Sequence, residues 1–215
     1  MTAFPLCLSG ETLLARPSGA LYWPAQSCLV VSDLHLGRSD RYARRAGALL
    51  PPYEIDDTLA RLDAEIAAET TTTVICLGDS FDDADAAQLS ERHRLWLARL
   101  QAGRRWVWIT GNHDPGPVDL AGTYLAEFVL GPLTFRHIAK RGAEGEVSGH
   151  YHPKVGFAGR FSPSFLADRH RIIMPAFGTY TGGMRSADEP LSELMSADAT
   201  AIVTGRVARA IPMPR

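Results

Sequence analysis

Val74-Ile75-Cys76-Leu77-Gly78-Asp79-Ser80-Phe81-Asp82 is a short apolar run that stops abruptly at a glycine and a carboxylate. It reads as a buried strand over 74–77 that delivers Asp79 to its C-terminal edge. In open α/β sheets that edge hosts sites, because the loops leave the strands together and face one crevice. Two other runs end the same way, Cys28-Leu-Val-Val-Ser-Asp33-Leu-His35 and Arg105-Trp-Val-Trp-Ile-Thr-Gly111-Asn112-His113-Asp114. Three strand ends carrying Asp, His and Asn at one crevice are the signature of a metal site.

Outward from these strands, the spacing predicts helices that return the chain from one to the next. Ile55, Leu59, Leu62 and Ile66 recur at helical intervals over about 54–69, after the Pro51-Pro52 break. A second helix is expected over 86–101, with Gly103 as its stop. Strand, helix, strand, helix, strand implies right-handed crossovers and a largely parallel sheet. Before it, Thr12-Leu-Leu-Ala-Arg and Leu21-Tyr-Trp flank Pro17-Ser-Gly19 and read as an edge hairpin. From about 123 the chain turns to short strands punctuated by glycine and proline, at 125–130, 133–138, 145–148, 155–157 and 170–174, with a closing hairpin, 199–204 and 206–211, around Gly205. The simplest architecture is α/β: two sheets packed as a sandwich, the second more antiparallel, with helices outside. The segment 182–192 is the best candidate for a mobile loop.

The 215 residues suit one domain, 1–215, large enough to bury a sheet on both faces. A hydrophobic content of 46%, a charged content of 21% and a net charge of −2 describe a soluble globular protein and offer no broad nucleic-acid face. No stretch approaches the ~18 apolar residues of a spanning helix, and the N-terminus lacks the basic and apolar regions of a signal peptide. A cytoplasmic protein without membrane contact is expected. Cys7, Cys28 and Cys76 fit neither a disulfide framework nor a zinc knuckle, and are expected to be reduced, buried small hydrophobes.

The second half ends its strands in histidines too, in Leu133-Thr-Phe-Arg-His137 and Val147-Ser-Gly149-His150-Tyr-His152. Together the strand-end residues are Asp33, His35, Asp79, Asn112, His137, His150 and His152. Oxygen and imidazole donors without thiolate suit Mn, Fe, Zn or Ni. Seven are too many for one ion and right for two ions that share a carboxylate. A lone histidine is more often structural than a ligand, and His93 and His170 keep that reading, but five histidines placed alike at strand ends do not.

These residues resemble the calcineurin-like metallophosphoesterase family, whose blocks D-x-H, G-D-x-x-D, G-N-H-D/E, a solitary H and G-H-x-H occur in order as Asp33-Leu-His35, Gly78-Asp79-Ser-Phe-Asp82, Gly111-Asn112-His113-Asp114, His137 and Gly149-His150-Tyr-His152. The resemblance implies a four-layer αββα fold and a phosphoesterase with two divalent ions, manganese first among them. It places one ion on Asp33, His35, Asp79 and His152 and the other on Asp79, Asn112, His137 and His150, with Asp79 bridging. Such ions supply a bound hydroxide at neutral pH that attacks phosphorus. His113 is similar to the family's non-ligand histidine acting on the phosphoryl group, oriented by Asp114, while Asp82 holds a ligand histidine in its tautomer.

The segments between blocks are similar to the bacterial ligase-associated DNA damage response endonucleases of this family, in Tyr42-Ala-Arg-Arg, Leu50-Pro-Pro-Tyr-Glu and Met174-Pro-Ala-Phe-Gly-Thr-Tyr-Thr-Gly-Gly among others. That similarity implies DNA as substrate and a repair setting with a ligase, a helicase and a nuclease as functional partners. Arg38, Arg41, Arg44 and Arg45, at helical spacing after His35, are the expected contacts to backbone phosphates, against the plainer reading of a solvated helix face. A small-molecule phosphodiesterase or nucleotide pyrophosphatase, and a scaffold that has lost catalysis, are the alternatives.

Overall fold

The computed structural model describes residues 2–39, 51, 53–82, 89–113, 120–157 and 159–215. The first sheet runs in the order β1 (Phe4–Leu8), β2 (Glu11–Ala15), β3 (Leu21–Trp23), β4 (Cys28–Val31), β5 (Thr73–Leu77), β6 (Arg105–Ile109) and β7 (Thr123–Leu125). It is antiparallel up to β4 and parallel from β4 to β7. Of the second sheet's strands, β8 (Glu127–Leu130), β9 (Leu133–Arg136), β10 (Glu146–Ser148), β12 (Arg160–Ala167), β13 (Arg171–Ile173), β14 (Thr200–Val203) and β15 (Arg209–Pro212) lie in the order β15-β14-β12-β13-β10-β9-β8, and β11 (Lys154–Phe157) pairs with β12. Only β9-β10 and β10-β13 are parallel in that sheet.

The two sheets pack face to face because their strands alternate between two apolar environments. Cys28, Val30, Ile75, Leu77, Val107 and Ile109 meet Phe135, Val147, Phe165 and Ile172 between the sheets. Their neighbours Leu29, Val31, Val74, Cys76, Trp106 and Trp108 point the other way, onto Leu59, Leu62 and Ile66 of α1 (Glu54–Ala68) and Leu97 and Leu100 of α2 (Glu91–Gln101). Covering on both faces explains why β4, β5 and β6 read as unbroken hydrophobic runs. On the far side of the second sheet, Leu166, Ile173 and Ala201 are covered by Leu191 of the short α3 (Leu191–Leu194) and by Met195. The layers are therefore helix, sheet, sheet and a thin outer cover.

Several local expectations are corrected. The N-terminal segment is a three-stranded meander, with β1 at the sheet edge, where Pro5 removes no ladder donor that the sheet needs. The 125–130 run divides at Ala126, leaving β7 in one sheet and β8 in the other. The strand β12 was not expected, since Ser162, Pro163 and Ser164 interrupt its apolar pattern. Cys7 is exposed, pointing away from the core on the edge strand, whereas Cys28 and Cys76 are buried. The 182–192 segment is tied down by Met184 N–H to the Tyr151 carbonyl (3.2 Å) and Ser186 N–H to the Lys154 carbonyl (3.1 Å). Ser90 caps α2, so the helix begins at Glu91; residues 86–88 of the expected 86–101 span lie outside the described residues.

One buried charge network sets the second sheet's register. Glu146 on β10 is fully buried between Arg136 on β9 (2.7 Å) and Arg171 on β13 (3.3 Å), and it also accepts from the Lys140 N–H (2.9 Å). Removing one member of a buried network strands its partners' charges, at a cost of about 3–5 kcal/mol. Glu146→Ala should lower the unfolding free energy in urea by about that amount. A loss under about 1 kcal/mol would mean that the arginines are solvated without it.

Candidate metal centre

The strands β4, β5 and β6 end side by side, and the loops that follow stay zipped by backbone hydrogen bonds. His35 N–H donates to the Asp79 carbonyl (2.9 Å), Leu36 N–H to the Ser80 carbonyl (2.9 Å) and Asp82 N–H to the Leu36 carbonyl (3.0 Å). From the second sheet, Gly149 N–H donates to the His137 carbonyl (2.9 Å), which joins the loops after β9 and β10. The two loop sets meet over the sandwich edge. His150 N–H reaches across to Asp33 Oδ2 (3.0 Å), and His113 N–H donates to Asp79 Oδ1 (2.8 Å).

Five of the sequence-predicted ligands adopt left-handed backbone: Asp33 (φ 52°), His35 (45°), Asp79 (45°), His150 (71°) and His152 (47°). That conformation is uncommon for non-glycine residues, and such strain gathers where side chains are held for function. Gly78, at φ +75°, serves the same turn, and a Cβ there would overlap the His137 ring. Asp33, His35, Asp79, Asp82 and His137 are all buried.

The side chains fall into two groups of converging donor atoms, Asp33 with His35 and His152, and Asp79 with His137 and His150, each within 4.8 Å. In the first, His35 Nε2 lies 3.4 Å from His152 Nε2, which is 3.1 Å from Asp33 Oδ1. In the second, His137 Nε2 lies 3.0 Å from Asn112 Oδ1, 3.2 Å from His150 Nδ1 and 3.3 Å from Asp79 Oδ2. The other ring nitrogens set the tautomers. His137 Nδ1 donates to the Leu77 carbonyl (2.8 Å), and His35 Nδ1 lies 2.9 Å from Asp82 Oδ1, which turns both Nε2 atoms inward. Carboxylate and imidazole donor atoms that converge this closely fit a divalent cation in each group. Donors that are all nitrogen and oxygen fit a borderline or hard transition ion.

Residues 27–199 match the calcineurin-like phosphoesterase family. The chain belongs to that family. Its fold is also similar to the crystal structure of Pseudomonas putida nuclease MPE, at 29% identity and a TM-score of 0.77, over 98% of this chain and 100% of that one. No curated protein matches the sequence. The phosphoesterase family uses divalent metals, and the two donor groups are where this chain would hold them.

The remaining site residues surround these groups. His113 stands outside both, its Nδ1 donating to the Asp82 carbonyl (3.0 Å) and its Nε2 4.0 Å from Asp79 Oδ2. Asp82 is engaged by His35 and by Arg38 Nη1 at 3.5 Å, so Arg38 is turned into the centre rather than out along a helix face. Asp114, Arg41, Arg44 and Arg45 lie outside the described residues. Sequence reading missed the Ser32 hydroxyl, which donates to Asp33 Oδ2, and the Leu77 carbonyl that orients His137. It missed too the loop after β13, where Phe177 N–H donates to the Ser32 carbonyl (2.7 Å) and Gly178 N–H to the Asp33 carbonyl (3.1 Å). Arg61 of α1 braces that loop through the Phe177 carbonyl (2.7 Å) and Thr179 Oγ1 (3.0 Å). His93 and His170 lie against carboxylates away from the centre, Asp56 (3.2 Å) and Glu144 (2.7 Å).

Charge in the metal-free centre is balanced by protons. Burial opposes ionisation of His137, but the hydrogen bond to Asp79 and the charges of Asp33 and Asp79 outweigh it and lift its pKa from 6.5 to about 9. Burial likewise opposes Asp79, yet His137 and the His113 N–H hold its carboxyl well below the usual range. Burial lowers His35 despite Asp82. Since His137 has a folded pKa above its unfolded one, the metal-free protein keeps this stabilisation below about pH 6.5 and loses it as the pH rises through about 9. A cation bound there would replace that proton. Calorimetry of manganese binding at pH 7.5 in buffers of different ionisation enthalpy should show proton release that fades above pH 9; release that stayed constant to pH 10 would contradict the assignment.

Proposed function

We propose that this protein is a binuclear metal-dependent phosphodiesterase that cuts nucleic acid, a DNA endonuclease of the repair machinery. The observation that carries the reading is the pair of facing donor groups with His113 beside Asp79 and outside both. Asp33, His35 and His152 would hold one cation and Asn112, His137 and His150 the other, with Asp79 shared, and manganese suits these donors. When bound, the two cations would lower the pKa of a water and offset charge growing on phosphorus.

The chain's own residues do the rest. Asp33 and Asp79 stay ionised, fixed by the N–H groups of His150 and His113, so the centre is preformed on both sheets. Asp82 anchors His35 through Nδ1 and, through its carbonyl, holds His113 Nδ1. His113 Nε2, when protonated, donates to a phosphoryl oxygen or to the departing alkoxide as water adds to phosphorus and the P–O bond breaks. Asn112 is exposed, which leaves this side of the centre open to a substrate.

Similarity to a nuclease over the whole chain supports nucleic acid as the substrate. Arg38, with Arg41, Arg44 and Arg45, would meet its backbone phosphates, and a ligase, a helicase and a further nuclease would be its functional partners in the cytoplasm. The net charge of −2 favours the second reading, a small-molecule phosphodiesterase or nucleotide pyrophosphatase. A manganese-supplemented panel of bis(p-nitrophenyl) phosphate, single-stranded, nicked and duplex DNA, and nucleotides separates the two. The DNA reading expects cleavage of at least one DNA form, and turnover only of nucleotides and the bis-ester would replace it. His113→Ala should keep its manganese yet lose roughly 10²–10⁴-fold in kcat. Metal loss in that variant would make His113 a ligand.

A further inference from the structure

Beside the second donor group lies a cleft of about 600 Å³, whose lining includes Asn112, Glu127, Arg136, His137, Ile138 and Lys140. It is continuous with the metal centre, because Asn112 and His137 belong to both. Its apolar lining comes from Ala126 and Ile138, and Ile138 is one of the large hydrophobic side chains that stay exposed. Its two cations differ in freedom. Arg136 is held by buried Glu146 (2.7 Å) and by Glu127 (3.1 Å). The Lys140 ammonium pairs with Glu127 at 3.1 Å, both side chains well exposed, while its backbone N–H is fixed to Glu146 (2.9 Å).

We propose that this cleft is the subsite for the nucleotide next to the scissile phosphodiester, with Lys140 binding that nucleotide's phosphate and Ile138 packing under its sugar or base. The proposal rests on the nucleic-acid reading above. An exposed lysine–carboxylate pair is weak in water, so a phosphate can displace Glu127 from Lys140 at little cost. The apolar lining suits the sugar or base of a chain whose charge lies on its phosphates. Glu127 then acts as an internal competitor, and the two residues have opposite effects on substrate. A purely structural pair would show the same sign for both.

The test compares Lys140→Gln, Lys140→Arg and Glu127→Gln in the full-length, manganese-loaded protein, on a single-stranded DNA oligonucleotide and on bis(p-nitrophenyl) phosphate. The readout is the ratio of the two kcat/KM values. It should fall about 3- to 10-fold in Lys140→Gln, stay near wild type in Lys140→Arg, and rise in Glu127→Gln. The salt slope of oligonucleotide binding should lose about 0.7 in Lys140→Gln, the share of one phosphate contact on a single strand. A ratio unmoved by Lys140→Gln and Glu127→Gln, or lowered by both, would overturn the subsite while the nucleic-acid reading stood. Wild-type protein that hydrolysed the bis-ester and left DNA intact would overturn that reading and the subsite with it.

Discussion

The structure depends on bringing ionised carboxylates and imidazole lone pairs into one buried space and holding them there. Asp33 and Asp79 are buried, and each is compensated by an N–H from a different loop and by facing histidines. A buried carboxylate is tolerated only with such partners. Without a cation, His137 carries the positive charge, which its raised pKa of about 9 expresses. The centre is thus a charge-balanced socket, in which a metal would take the place of the His137 proton.

The sandwich exists, in functional terms, to make the two halves of that socket meet. Parallel strands β4 to β6 deliver Asp33, His35, Asp79 and Asn112 on one side, and parallel strands β9 and β10 deliver His137, His150 and His152 on the other. The interior shared by the sheets holds these edges in register, and Glu146 with its two arginines fixes the strand that ends at His137. Left-handed backbone at five of the predicted ligands turns the side chains back over the strand ends. The apolar core and the zipped loops offset that local strain.

Much of this was legible in the sequence. The strand ends stood out because strands buried on both faces are uninterrupted apolar runs, so the Asp and His residues that close them mark a boundary sharply. The five blocks in order then fixed the family, which the match over 27–199 bears out. What stayed hidden depends on distant register or on backbone groups. The Leu77 carbonyl that sets the His137 tautomer has no signature in residue types, and the Glu146 network joins three strands whose adjacency is not sequential. Strands β1 and β12 were obscured by Pro5 and Pro163, and Cys7 faces out because β1 has only one buried face. Arg38 read as one of a basic face, yet it bends onto Asp82, a choice that burial makes and spacing does not.

The central claim is that this socket holds two cations around a shared carboxylate, and the most direct measurement is anomalous diffraction from crystals of the manganese-loaded protein. Two peaks are predicted, one among Asp33, His35 and His152 and one among Asn112, His137 and His150, with Asp79 between them. A single peak, or two that leave Asp79 outside the contacts of either ion, would contradict it.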